Sequence, residues 1–164
     1  MSICALACCG YDRKFPHNYA ILTVFTFCVS WMVGIICMMA KSPAIVFEAA
    51  GITAAMVVGL TFYAITTKTD FTMCGALIWI LAMIMSMACL MMWILGPQMH
   101  LAYACLGVFV YSFFLVYDTQ LIVGGKHRQL KFDKDSYILA AVALYLDIIN
   151  MFLFILQILN GEKD

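Results

Sequence analysis

Residues 71–117 contain no Asp, Glu, Lys or Arg, an uncharged run of 47 positions. No water-facing surface can be made from such a stretch, so its natural solvent is hydrocarbon. A helix needs about 20 mostly apolar residues to cross a bilayer core of about 30 Å, which makes the run too long for one span and suitable for two. Gly96-Pro97-Gln98 divides it near the middle, because Pro lacks an amide donor and restricts the residue before it. The pattern predicts one helix over about 73–95 and another over about 99–123. Three further uncharged or nearly uncharged stretches, at about 17–40, 43–67 and 136–160, have the length of a span. Asp133, Asp135 and Ser136 are candidate caps at the start of the last, and Asn160-Gly161 a stop at its end.

The expectation is therefore an all-α, polytopic membrane bundle of five transmembrane helices forming a single domain over residues 1–164. Composition agrees: 66% of residues are apolar and 11% charged, against roughly 45–50% and about 25% in soluble domains, and the mean hydropathy is +1.02. This excludes a soluble enzyme and a disordered tail, and no basic excess suits nucleic-acid binding.

Orientation follows from Lys and Arg. Arg13, Lys14, Lys68, Lys126, Arg128, Lys131 and Lys134 fall on one side, and Lys41 and Lys163 on the other. The split places the N-terminus and the 124–135 loop in the cytosol, or in the matrix of a mitochondrion, and the C-terminus opposite. Residues 1–16 read as the end of a truncated helix followed by a cytosolic turn, and 161–164 as a tail. The opening run is too short to span, and its charges follow the apolar residues where a signal peptide would have them precede.

Cys28, Cys37, Cys74, Cys89 and Cys105 lie in or at the ends of the expected spans, where a thiol serves as a small hydrophobe. Cys4, Cys8 and Cys9 beside Asp12-Arg13-Lys14 are juxtamembrane, a position open to reversible acylation or, with His17 as a fourth ligand, to a metal. The Met and Trp residues read as packing and interface anchors. No metalloprotease, hydrolase, P-loop or dinucleotide motif occurs, so nothing nominates an enzyme or a cofactor.

Three acids inside spans carry the chemistry: Glu48, Asp118 and Asp147. A carboxylate near the bilayer centre costs roughly 2.5–3.5 kcal/mol on insertion scales, so it faces the bundle interior, a partner or water. Each sits on a stripe of small or polar residues: Ala140, Ala143, Asp147, Asn150 and Gln157; His100, Ala104, Gly107, Tyr111 and Asp118; Ala44, Glu48, Gly51, Ala55, Gly59 and Thr66. The first span adds Thr23, Thr26, Ser30, Gly34 and Cys37. Small residues let backbones approach, so the stripes are expected to be packing seams. Packing alone is served by Ala or Gly, which leaves Asp118 and Asp147 as proton or cation groups or as a polar tether. Glu48, a turn inside Pro43, reaches toward the interface.

The residues also carry a family resemblance. Tyr117-Asp118-Thr119-Gln120, Gly124-Gly125-Lys126, and Tyr145-Leu146-Asp147-Ile148-Ile149-Asn150 with Phe152, Leu156 and Gln157 resemble the C-terminal signature of the transmembrane Bax inhibitor motif family, especially its lifeguard branch. Glu48-Ala-Ala-Gly-Ile-Thr-Ala and Tyr63-Ala64, followed by Thr67-Lys68-Thr69-Asp70-Phe71-Thr72, resemble its middle helices. The resemblance implies a seven-helix bundle with the last helix central, of which the five spans here correspond to the third to seventh. The first helix and most of the second, with an arginine some members bring to the acid pair, have no counterpart.

What the resemblance implies for function is a pH-sensitive calcium leak that lowers the load of an internal store and suppresses cell death. It rests on an intramembrane aspartate pair mapping onto Asp118 and Asp147, with calcium as transient ligand and permeant ion, and Asn150, Gln157, Tyr111 and Glu48 as supporting polar groups. The membrane implied is that of the endoplasmic reticulum or Golgi, or the mitochondrial inner membrane. The alternative is a non-conducting structural subunit, since other membrane chains or a second copy are expected to replace the absent helices. One tension attends the pair: from the expected helix ends, Asp118 and Asp147 differ in depth by roughly 9 Å at 1.5 Å per residue, so a tilt, a break or a later helix start is expected to bring them together.

Overall fold

The computed structural model describes residues 17–95, 99–124 and 137–161. The first sixteen residues with Cys4, Cys8 and Cys9, the 96–98 break, the basic loop with Asp133, Asp135 and Ser136, and the tail after 161 lie outside the described residues. All regular structure among the described residues is helical: α1 His17–Met38, α2 Pro43–Thr66, a 3-10 turn Phe71–Cys74, α3 Gly75–Leu95, α4 His100–Val123 and α5 Tyr137–Gly161. Every expected helix is present, with ends within two residues of the expectation. Pro43–Thr66, Gly75–Ile94, His100–Val123 and Ile138–Gly161 are long and apolar enough to cross a membrane, and α1 contributes a shorter apolar helix, Leu22–Met38.

Local chemistry sets the ends. Ser42, in extended conformation, accepts the Ala44 N–H on its hydroxyl at 3.3 Å, and Pro43 occupies the first helical position, where its missing donor costs nothing. The α2 C-terminus closes with the Thr67 N–H donating to the Tyr63 carbonyl at 2.9 Å. Asp70 then caps the 3-10 turn, its carboxylate accepting from the N–H and hydroxyl of Thr72. α4 ends at Gly124, whose φ of 62° is the left-handed conformation that glycine adopts freely.

α4 and α5 run antiparallel in the most extensive contact, α2 packs against both, α3 leans on α4, and α1 touches α5 and α2 more lightly. The core therefore lies between α2, α4 and α5, built from Ile45, Ala49, Leu115, Met151, Ile155 and Leu156. Lipid is as apolar as these side chains, so the driving force is close fit rather than exclusion from water. The outward faces agree with a lipid setting: Phe47, Trp79 and Trp93 are each at least three-quarters exposed.

The small-residue stripes divide. On α4 and α5 they are seams, with Ala104, Gly107, Ala140 and Asp147 buried. On α2 the buried face is Ile45, Ala49, Thr53 and Ala64, whereas Ala44, Glu48, Gly51, Ala55, Gly59 and Thr66 are exposed. On α1, Thr23, Thr26, Ser30 and Gly34 are exposed as well. The expectation that these two stripes form seams within the chain is corrected. Contact attraction grows with the number of touching atoms, and Ile45 offers α4 and α5 more of them than a glycine edge does.

Candidate functional site

Asp118 on α4 and Asp147 on α5 lie on facing sides of the α4–α5 contact, close enough for their side chains to interact. Asp147 is buried and Asp118 half-buried. Measured from Val123 and Tyr137, the helix ends nearest the pair, Asp118 lies five residues deep and Asp147 ten, an axial mismatch of about 7.5 Å at 1.5 Å per residue. Side-chain direction takes up part of this offset. Every Cα–Cβ bond in a helix leans toward that helix's own N-terminus. In this antiparallel pair Asp118 leans inward, away from Val123, while Asp147 leans outward, toward Tyr137, so the side chains converge across the offset.

Only part of the pair's hydrogen-bonding capacity is used. Asp147 Oδ2 is buried and has no hydrogen-bond partner, and the same holds for Thr119 Oγ1 beside Asp118. Among the described residues no group of three or more His, Cys, Asp or Glu side chains converges on a metal position. The pair thus offers two carboxyl groups, enough for a proton or a passing cation and short of the six to eight oxygens of a dedicated calcium cage.

Two residues beyond Asp118 stands Gln120, fully buried. Its Oε1 accepts the Phe71 N–H at 2.9 Å, and its Nε2 donates to the carbonyls of Thr69 at 3.1 Å and Ala64 at 3.3 Å. At 100° per residue, positions two apart point about 200° from each other, so one turn of α4 is held on opposite sides, to α5 by Asp118 and to the α2–α3 connection by Gln120. The sequence pattern marked Gln120 only as part of a motif. The signal available was an amide inside an apolar span, which must find partners to be tolerated.

The other expected site residues are distributed along α4 and α5. Tyr111 packs edge-on to Phe114, with ring centroids 5.5 Å apart, and lies 5.7 Å from the Phe154 ring. Asn150 donates to the carbonyl of Leu146, four residues back in its own helix, at 2.8 Å. Gln157 meets His100 at 3.0 Å across α4 and α5, and Asn160 accepts the Lys41 N–H at 3.1 Å, so the far end of α5 is tied to α4 and to the α1–α2 turn. An open cleft lined by His100, Asn150, Gln157 and Asn160 lies at this end. Glu48 is not at the site. The Gln120–Ala64 bond sets the level of α2 against α4 and leaves Glu48 about 20 Å from the pair along the axis, on an exposed face.

Comparison with known proteins agrees with this architecture. The family model described as inhibitor of apoptosis-promoting Bax1 matches residues 1–164. Protein lifeguard 3 of Homo sapiens is 36% identical over 97% of this chain and 52% of its own length, and its Mus musculus counterpart is 34% identical over the same shares. Protein LIFEGUARD 4 of Arabidopsis thaliana is 35% identical over 93% of this chain and 61% of its own. The chain spans roughly half to three-fifths of the length of these curated relatives.

Proposed function

The chain belongs to the family of the inhibitor of apoptosis-promoting Bax1, and on that premise we propose that it is a calcium leak of an internal membrane, switched by protonation of the Asp118–Asp147 pair and acting to restrain cell death. What supports this reading is the placement of two carboxyl groups, Asp118 and Asp147, on facing sides of the α4–α5 contact inside apolar helices. A hydrogen bond between two carboxyl groups requires one of them to hold the proton, and two ionised carboxylates side by side in a low dielectric repel. Loss of that proton frees α4 from α5 at the Asp118 level and leaves ionised oxygens, the ligands a hard cation accepts. Asp147 Oδ2, buried and unpartnered, is an oxygen already available. The supporting groups are Tyr111 beside the pair and Asn150, Gln157 and His100 toward the opposite end. The proposed membrane is that of the endoplasmic reticulum or Golgi, with the mitochondrial inner membrane as the other candidate. The test is calcium flux through purified chain in liposomes, measured against pH. Flux that responds to pH supports the reading, and liposomes no leakier than protein-free ones overturn it.

A second reading is favoured by a different observation. The exposed stripes on α1 and α2 place Gly51, Ala55 and Gly59 at four-residue spacing with nothing within 4 Å of a methyl group built on either glycine. Such a face accepts a neighbouring helix closely, and an exposed Glu48 in lipid gains from a hydrogen-bonding neighbour. In this reading the chain is a structural subunit, packed through α2 against a second copy or another membrane chain. Native mass of the detergent-extracted protein separates the two: an assembly that conducts nothing favours the subunit, and a conducting monomer removes it.

A further inference from the structure

Between α2 and α4, near the α2–α3 connection, runs an almost wholly apolar groove of about 230 Å³. Leu60 and Tyr63 of α2, Phe71 of the 3-10 turn and Phe109, Ser112 and Phe113 of α4 line it. The one hydroxyl among the α4 residues, that of Ser112, is engaged with the Val108 carbonyl at 2.7 Å, so the groove offers an occupant contact surface and few hydrogen bonds. Tyr63 and Phe109 are exposed, so it opens sideways, where the helices face hydrocarbon. Leu60 lies six residues before the end of α2 and Phe109 fourteen before the end of α4, so the groove's walls reach from about 9 Å to about 21 Å below the helix ends, a depth that an acyl chain can follow.

What lies above the groove distinguishes it from ordinary lipid-facing surface. Tyr63 and Phe71, whose rings stand 6.4 Å apart, bracket the four residues of the α2–α3 connection, so residues 67–70 form the rim. Lys68 on that rim is exposed. The neighbouring acid, Asp70, turns its carboxylate to Thr72. Gln120 ties the Ala64 and Thr69 carbonyls and the Phe71 N–H to α4, which fixes the rim against the α4 wall.

An exposed lysine on the rim of an apolar groove between membrane helices, with the neighbouring carboxylate turned to Thr72, complements one kind of bilayer component. We propose that this groove holds an acyl chain of an anionic phospholipid whose headgroup is met by Lys68. Basic positions between helices at a membrane surface recognise acidic headgroups, while acyl chains fill the apolar space below. This proposal stands apart from the calcium reading and needs neither Asp118 nor Asp147.

The test is native mass spectrometry of the detergent-extracted chain offered equimolar phosphatidylglycerol and phosphatidylcholine with identical acyl chains. The expected result is retention of one phosphatidylglycerol at roughly fivefold preference. Lys68→Gln is expected to erase the preference and leave equal, weaker retention of both lipids. Ser112→Trp and Leu60→Trp, which fill the groove from opposite walls, are expected to abolish retention of both. A conservative Phe113→Trp provides a check that does not depend on the filling variants folding, since its added fluorescence should be quenched more by phosphatidylglycerol with brominated chains than by brominated phosphatidylcholine. Equal retention by the unmodified chain, or a preference that survives Lys68→Gln, overturns the proposal. Phosphatidylglycerol retained by folded groove-filling variants reduces the effect to surface charge and overturns it too. So does disulfide capture of a second copy through Ser112→Cys without lipid retention, which assigns the groove to self-association.

Discussion

The Phe154 ring of α5 lies directly against Gly107 of α4: a methyl group added to Gly107 would stand 2.6 to 2.7 Å from three of the ring's carbon atoms. Tyr103 and Tyr111, one turn to either side, hold the same ring at centroid distances of 5.4 and 5.7 Å, so an aromatic knob fills a hole whose floor is a glycine. This close approach lies on the same helix pair that brings Asp118 to Asp147.

Gly107→Ala is therefore expected to destabilise the bundle by about 1–3 kcal/mol, the usual cost of overpacking, and Gly107→Val by more. Because the ring is what the methyl group meets, Phe154→Leu in the Gly107→Ala background should recover part of the loss. Thermal unfolding in detergent, run as a double-mutant cycle, measures it. Additive losses would show that the two residues are not in contact.

Asp118→Asn and Asp147→Asn are each expected to flatten the pH dependence of calcium flux in liposomes. Two groups that share one proton act as a single unit, so the double variant should add little to either single one. Independent, additive effects would separate the two aspartates and favour a purely structural role.

Gln120→Leu keeps the size of the side chain and removes three hydrogen bonds, those to the Phe71 N–H and to the carbonyls of Ala64 and Thr69. A buried donor left unsatisfied, as the Phe71 N–H would be, costs about 1–3 kcal/mol. The connection between α2 and α3 should loosen first, read as faster hydrogen exchange at the Phe71 amide while amides in the middle of α5 are unchanged. Unaltered exchange at Phe71 would show that Gln120 does not hold the connection.

Seven of the nine Lys and Arg residues fall on one side of the expected spans, and that side should be cytosolic. With native thiols removed, Arg128→Cys should be labelled by an impermeant reagent from the cytosolic face and Lys163→Cys from the opposite face. Labelling of both from one face contradicts five crossings and points to a last helix that re-enters.

The sequence by itself determined the helices of the described residues, where they begin and end, and which acids stand inside them, because these depend on local quantities. An uncharged run sets the length available to cross hydrocarbon, Gly96-Pro97-Gln98 and Asn160-Gly161 mark ends through backbone chemistry, and a carboxylate in an apolar helix stands out wherever the helix is placed. Which faces meet was decided by tertiary structure. The stripes through Gly107 and Asp147 became seams while the comparable stripe through Gly51 and Gly59 faces outward, since close fit depends on the neighbour as much as on the stripe. The same reason applies to Gln120, whose partners lie 49 to 56 residues away in the chain, and to the pairing of Asp118 with Asp147. Their depths along the chain disagree, and the opposed lean of side chains on antiparallel helices draws them toward each other.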